Sequence, residues 1–187
     1  DGIGYWGLMG TGSWTSKVPG KENGESPSHM TPWSKSYLGW LTPTALTGVD
    51  TNQIMPQIES TAFAVRLLSN PGGPDDWPSG NGEYFLFENR QRVGFDIGLP
   101  GCGIMVWHID EAINSNSNEG HNALNHRLID PEEADGTHPQ PNRGDDGDPY
   151  PGGSNNHLFN DGTNPHSRLY DGSNTNIKVE VVAAGCD

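Results

Sequence analysis

Residues 82–110, GEYFLFENRQRVGFDIGLPGCGIMVWHID, decide the fold. They read as two strands, GEYFLFENR at 82–90 and CGIMVWHID at 102–110, joined by a connection rich in glycine and interrupted by proline. Both runs carry apolar or aromatic residues at odd and even positions alike, the pattern of strands covered on two faces, so both are expected to be inner strands. TAFAVRLL at 61–68 is a third strand, and IKVEVVA at 177–183 alternates more cleanly, as a closing strand with one wetter face does. NPGGPDDWPSGNG at 70–82 is a turn-rich connection.

On the N-terminal side, residues 1–28 intersperse glycine with Tyr5, Trp6, Leu8, Met9 and Trp14, which predicts tight turns pinned by large apolar anchors. HMTPWSKSYLGWL at 29–41 reads as a short helix. Thr31 caps it, Pro32 fits its first turn, Trp33 and Tyr37 share a face opposite Ser34 and Lys35, and Gly39 ends it. From 114 to 176 the chain turns to Asn, Asp, Gly, His and Pro, a long stretch for a loop without structure, so it is either mobile or held by ions.

With 26 Gly, 15 Pro and 32% hydrophobic residues among 187, the composition fits a turn-dense β protein rather than a helical bundle. The expected class is α+β and β-rich: a glycine-aromatic loop and short helix packed on a mostly antiparallel sheet or sandwich, with long irregular loops. One unit spans 1–187, divided into 1–41 (loop and helix), 42–113 (sheet core), 114–176 (Asp/Asn/Gly-rich loops) and 177–187 (closing strand). The net charge of −14, from 24 acidic and 10 basic residues, repels phosphate backbones and argues against nucleic acid as a partner. No run is long enough for a transmembrane helix, and the sequence opens at Asp1 inside the glycine-aromatic motif, as a processed or trimmed piece would.

The two cysteines, Cys102 and Cys186, lack C-x-x-C spacing, which disfavours a redox motif or a cysteine-built zinc site. They are read as a long-range disulfide, contributing roughly 3–5 kcal/mol in the chain-entropy model, with two buried thiols as the alternative.

Four stretches, GIGYWGLMGTGSW, PSHMTPWSKSYLGWL, GEYFLFENRQRVGFD with LPGCGIMVWHIDE, and HRLIDPEEADG, resemble in this order the immune inhibitor A family of secreted zinc metallopeptidases. The resemblance covers most of residues 1–136 and continues more weakly through DGDPYPGG and LYDG. It implies a metzincin-like zinc endopeptidase, in which an H-E-x-x-H helix binds zinc, its Glu activates water and a Met-turn lies under the metal. Met9, in GLMGTG, matches the Met-turn. No H-E-x-x-H occurs in the sequence. The resemblance therefore implies the downstream part of a secreted peptidase, without catalytic residues of its own and inactive alone. Zinc would arrive only with an upstream segment carrying the helix. The alternative is a non-catalytic extracellular module that is stabilised by calcium and binds or decorates another protein assembly.

No other constellation replaces the absent helix. The histidines, at 29, 108, 121, 126, 138, 157 and 166, include no i, i+4 pair. His121 and His126 read as ordinary loop residues, His29 as packing or capping, and His108 as a satisfied core histidine. The carboxylates Glu83, Glu88, Asp110 and Glu111 bracket the two strands, but spacing alone does not set them across a substrate. Calcium has better support, because it takes carboxylate and carbonyl oxygens from acidic loops. The candidate ligands are Asp110 and Glu111 at a strand end, Glu133 and Asp135 with Glu132 in EEADG, and Asp145, Asp146 and Asp148 in DDGD. Neither loop has the complete EF-hand pattern, and Asp161 and Asp171 lie in Asp-Gly turns that need no metal. Trp6, Trp14, Trp33, Trp40 and Trp107 are assigned to core packing rather than to a ligand-binding surface.

Overall fold

A computed structural model describes residues 2–49, 52–69, 82–113, 116, 126–137, 142–183 and 185–186. Its centre is the strand pair read from the sequence. β3 (Glu83–Arg90) and β4 (Gly103–Asp110) run antiparallel over eight residues, from Glu83 opposite Asp110 to Arg90 opposite Gly103. β1 (Thr44–Leu46) and β2 (Val65–Leu67) extend the sheet on one side and β5 (Ile129–Pro131) on the other, in the order β1-β2-β3-β4-β5. Only the β1–β2 pair is parallel. β6 (Leu158–Asn160) and β7 (Lys178–Glu180) form a second, two-stranded antiparallel sheet.

Side-chain alternation in β3 and β4 builds two apolar layers. On one face Tyr84, Leu86, Met105, Trp107 and Ile109 pack with Ile3, Trp6, Leu99 and Ile129, and Trp33 lies against them. On the other, Phe85, Phe87, Ile104 and Val106 pack with Val65, Ala134, Tyr150 and Phe159, against which Ile177 and Val179 of the β7 segment are laid. The central sheet is thus covered by the N-terminal loop and helix on one side and by the second sheet on the other. Each fully buried aromatic or aliphatic side chain contributes about 1.5–3 kcal/mol of transfer free energy.

The helix α1 (Pro32–Tyr37) has the expected ends: the Thr31 hydroxyl accepts the Ser34 N–H at 3.2 Å, and Gly39, at φ +72°, donates its N–H to Ser36 O. Trp33 and Tyr37 stack one turn apart, with ring centroids 5.2 Å from each other. Cys102 and Cys186 are joined as a disulfide across 5.4 Å between Cα atoms, which ties the C-terminal end to the entrance of β4.

Two readings need correction. The strand expected over 61–68 shrinks to β2, because only Val65–Leu67 lies against β3, opposite Phe85–Phe87. The segment read as loop over 114–176 contains β5 and β6: Asp130 of β5 pairs with His108, and Phe159 of β6 fills the second core layer. The 70–82 connection, apart from Gly82, lies outside the described residues, as do His121 and His138.

Candidate metal site and the loop that carries Met9

Two acidic loops meet at the start of β4. Ile104 and Tyr150 exchange backbone hydrogen bonds of 2.9 and 2.8 Å, which fixes residues 145–150 beside that end of the strand. From β5 the chain continues alongside β4, with Glu132 N–H on Val106 O and Ala134 N–H on Asp148 O, both at 2.9 Å. The result brings Asp135, Asp145 and Asp148 together, each offering an oxygen within 4.8 Å of the others. Among the described residues this is the one group of three or more His, Cys, Asp or Glu side chains close enough to hold a metal ion.

The surrounding backbone is built to keep these oxygens converged. Asp145 Oδ1 accepts the Gly147 N–H at 2.8 Å, Asp145 Oδ2 accepts from Asn142 at 2.5 Å, and Asp135 Oδ1 accepts the Thr137 N–H at 2.8 Å. A Cβ at Gly147 would stand 2.9 Å from Asp135 Oδ2 and 3.0 Å from Asp145 Oδ1, so only glycine leaves that cradle open. Asp148 is buried, and burial pushes its carboxyl up to about 7, the nearby charge of Glu133 adding to the effect while the Trp6 hydrogen bond opposes it. All-oxygen donors and uncompensated charge suit a hard cation.

The acidic loops also hold the N-terminal loop. Trp6 Nε1 donates to Asp148 Oδ2 at 2.6 Å, and the Tyr5 N–H donates to Arg143 O at 2.7 Å. Gly144, at φ +114°, completes the contact, since a Cβ there would lie 2.7 Å from the Trp6 indole nitrogen. Behind Trp6, the buried Arg90 guanidinium gives an N–H to Trp6 O at 2.7 Å while pairing with Asp96 and Glu88. The turn that follows is closed by Gly10 N–H on Gly7 O at 2.9 Å and Leu8 N–H on His29 O at 3.3 Å. Met9 projects from it at 70% exposure.

Of the seven predicted calcium ligands, three converge. Asp110 and Glu111 close the far end of β4, six or more residues from the Ile104–Tyr150 bridge and therefore about 20 Å along the strand. Asp110 instead pairs with His126 at 2.6 Å and accepts the Ala112 N–H at 2.8 Å. Glu111 accepts from Trp33 Nε1 at 2.8 Å and Tyr84 OH at 2.7 Å, and burial raises its pKa. Asp146 is exposed, lays its carboxyl group over Gly153 and accepts the Gly153 N–H on its backbone carbonyl. Glu133 is buried near Asp148 and contributes field rather than a converging oxygen. Asp161 is consumed by Ser167, Thr175 and Asn176, which tie it to the segment before β7, and Asp171 by a local turn that takes the Ser173 N–H.

Among the described residues the histidines do not form a zinc site. His108 is clamped between Glu83 at 2.8 Å and Glu132 at 3.0 Å. Burial opposes its charge, but the two carboxylates prevail and push its pKa up to about 9. Tyr170 is stacked between His108 and His126, with centroids at 4.2 and 3.9 Å. His157 Nδ1 lies 2.6 Å from Val181 O, and His29 packs edge-on against Phe95.

The assignment of all five tryptophans to the core also needs correction. Trp6 and Trp107 are sealed, but Trp14 and Trp40 are 58% and 64% exposed. These two and Met9 belong to residues 1–41, which carry three lysines against three carboxylates and so contribute none of the chain's net charge. Compared with family models, curated proteins and solved structures, the chain matches none.

Proposed function

We propose that this chain is the downstream part of a secreted zinc metalloendopeptidase: a cation-stabilised floor that presents Met9 to a zinc centre whose ligands belong to an upstream segment. The observation that carries the reading is the Trp6–Asp148 hydrogen bond. It couples the loop bearing the Met-turn residue to the acidic cluster, so that a calcium ion held by Asp135, Asp145 and Asp148 would fix the backbone from which Met9 projects. Exposed Met9 and an N-terminal region of no net charge support a face made to be covered by polypeptide rather than by water. Zinc, when present, would supply Lewis acidity and an activated water. This chain's own residues orient the floor and exclude water from it, and none of them supplies the general base.

The test is the native polypeptide. Its precursor sequence is expected to contain an H-E-x-x-H helix upstream of Gly2, and the isolated protein to carry stoichiometric zinc together with calcium. A precursor with no such helix would overturn the peptidase reading. The second reading, a non-catalytic calcium-stabilised extracellular module, is favoured by one fact: the acidic cluster is assembled wholly from this chain. Recovery of the chain with a partner assembly, and without an upstream fragment, would support it.

A further inference from the structure

Among the described residues three arginines are buried, and two of them hold carboxylates. Arg90 lies 2.7 Å from Asp96 and 3.1 Å from Glu88, and Arg127 lies 2.8 Å from Asp130. The third, Arg66, is 5% exposed, and its side chain has neither an ion pair nor a hydrogen bond among the described residues. Its Nε atom is sealed without an acceptor, and Nη1 and Nη2 keep the residue's small remaining contact with solvent.

Strand alternation places this cation. Arg66 is the middle residue of β2, opposite Ala45 of β1 and Leu86 of β3. Its neighbours Val65 and Leu67 belong to the second core layer, so Arg66 falls on the face of Tyr84, Leu86 and Trp107. That layer is apolar toward the sheet centre, whereas Ala45 on the margin is exposed. The Tyr84 hydroxyl is turned to Glu111 at 2.7 Å, and Glu111 makes no ion pair with Arg66.

We propose that Arg66 anchors an anion site at this margin of the sheet and that its ligand is a carboxylate carried by another molecule. A guanidinium withdrawn from water without a counter-charge is destabilising, and an anion meeting its outer end offsets that cost. The paired, coplanar N–H donors of the guanidinium match the two oxygens of a carboxylate. A monoanion balances this single cation. A phosphate dianion would add surplus negative charge to a chain of net charge −14, with the Glu111 carboxyl group already beside Tyr84. The site uses none of the acidic metal loops and is independent of the peptidase reading.

Sodium acetate, exchanged for chloride at constant ionic strength with the disulfide-bonded chain in calcium-containing buffer, tests the site. The Arg66 Nε–H resonance is expected to shift saturably, while those of Arg90 and Arg127, whose acceptors are internal, stay in place. At about ten times the dissociation constant the melting temperature is expected to rise by roughly 3–6 °C. Arg66→Met, which fills similar space without charge, is expected to lose that rise. An Arg66 resonance indifferent to acetate, or a rise that survives in Arg66→Met, overturns the proposal. Tighter binding of methylphosphate than of acetate overturns the choice of a carboxylate. Acetyl-dialanine, with a chain-terminal carboxylate, and the α-amide of acetyl-glutamate, with a side-chain one, tell the two peptide sources apart by which shifts the resonance at lower concentration. The resonance is read on the wild type and decides alone if the variant fails to fold.

Discussion

The indole of Trp6 and the carboxylate of Asp148, 142 positions apart in the chain, meet at 2.6 Å with both side chains buried. That contact makes tryptophan emission a reporter of the acidic loops. Trp6→Phe removes the donor and replaces the buried indole with a smaller ring, leaving a buried carboxyl oxygen one partner short beside a small void. The expected cost is about 1–3 kcal/mol in chemical denaturation, and a loss below about 0.5 kcal/mol would deny the contact a structural role.

Calcium is expected to raise the melting temperature, and chelation to reverse the effect. At a free concentration near 100 times the dissociation constant the gain is about 2.7 kcal/mol, or roughly 5–10 °C for a chain of this size. The double substitution Asp145→Asn, Asp148→Asn should abolish the calcium-dependent shift in calorimetry. A melt indifferent to excess chelator would remove calcium from the account.

His108 sets a second dependence, on pH. Its folded pKa of about 9 lies above the ordinary 6.5, so its stabilisation is fully present below pH 6.5 and is lost as the pH climbs toward 9. The amount is about 3 kcal/mol, with the buried Glu83 and Glu132 hydrogen bonds as its origin. His108→Gln should flatten the stability profile between pH 6.5 and 9, as urea titrations across that range would register.

Replacing both Cys102 and Cys186 with serine should lower stability by roughly 3–5 kcal/mol, because the bond closes a loop across 84 positions. The measurement is the urea midpoint with and without reductant. An unaltered midpoint in reductant would show that the crosslink constrains little.

Met9→Ala should leave stability within about 0.5 kcal/mol of the wild type, since the side chain is 70% exposed and supports nothing beneath it. A large loss would place Met9 in the core of the fold and count against its presentation to another segment.

The parts legible in the sequence were those with strong periodic signals. β3 and β4 stood out because both their faces are apolar, and α1 because Thr31, Pro32 and Gly39 mark its ends. β1, β5 and β6 are three residues each, too short for any period to emerge, and β5 even ends on Pro131. The acidic residues pointed to a candidate cation site without specifying which would converge, because convergence depends on where Tyr150 docks on β4. The Arg90 network was overlooked, although Glu88 and Arg90 share parity with Tyr84 and Leu86 on the face that packs the core. Charge at those two positions was a sign of buried pairing.

The disulfide has a topological consequence. The loops of Asp135 and of Asp145 and Asp148, β4 to β7 and the Tyr170 stack lie between its two ends. A single backbone cut anywhere from 103 to 185 therefore releases no fragment: the two pieces remain one covalent molecule until a reductant reaches the bond. A protein circulating among proteases would keep its mass through such a nick, and the damage would be visible only on a reducing gel.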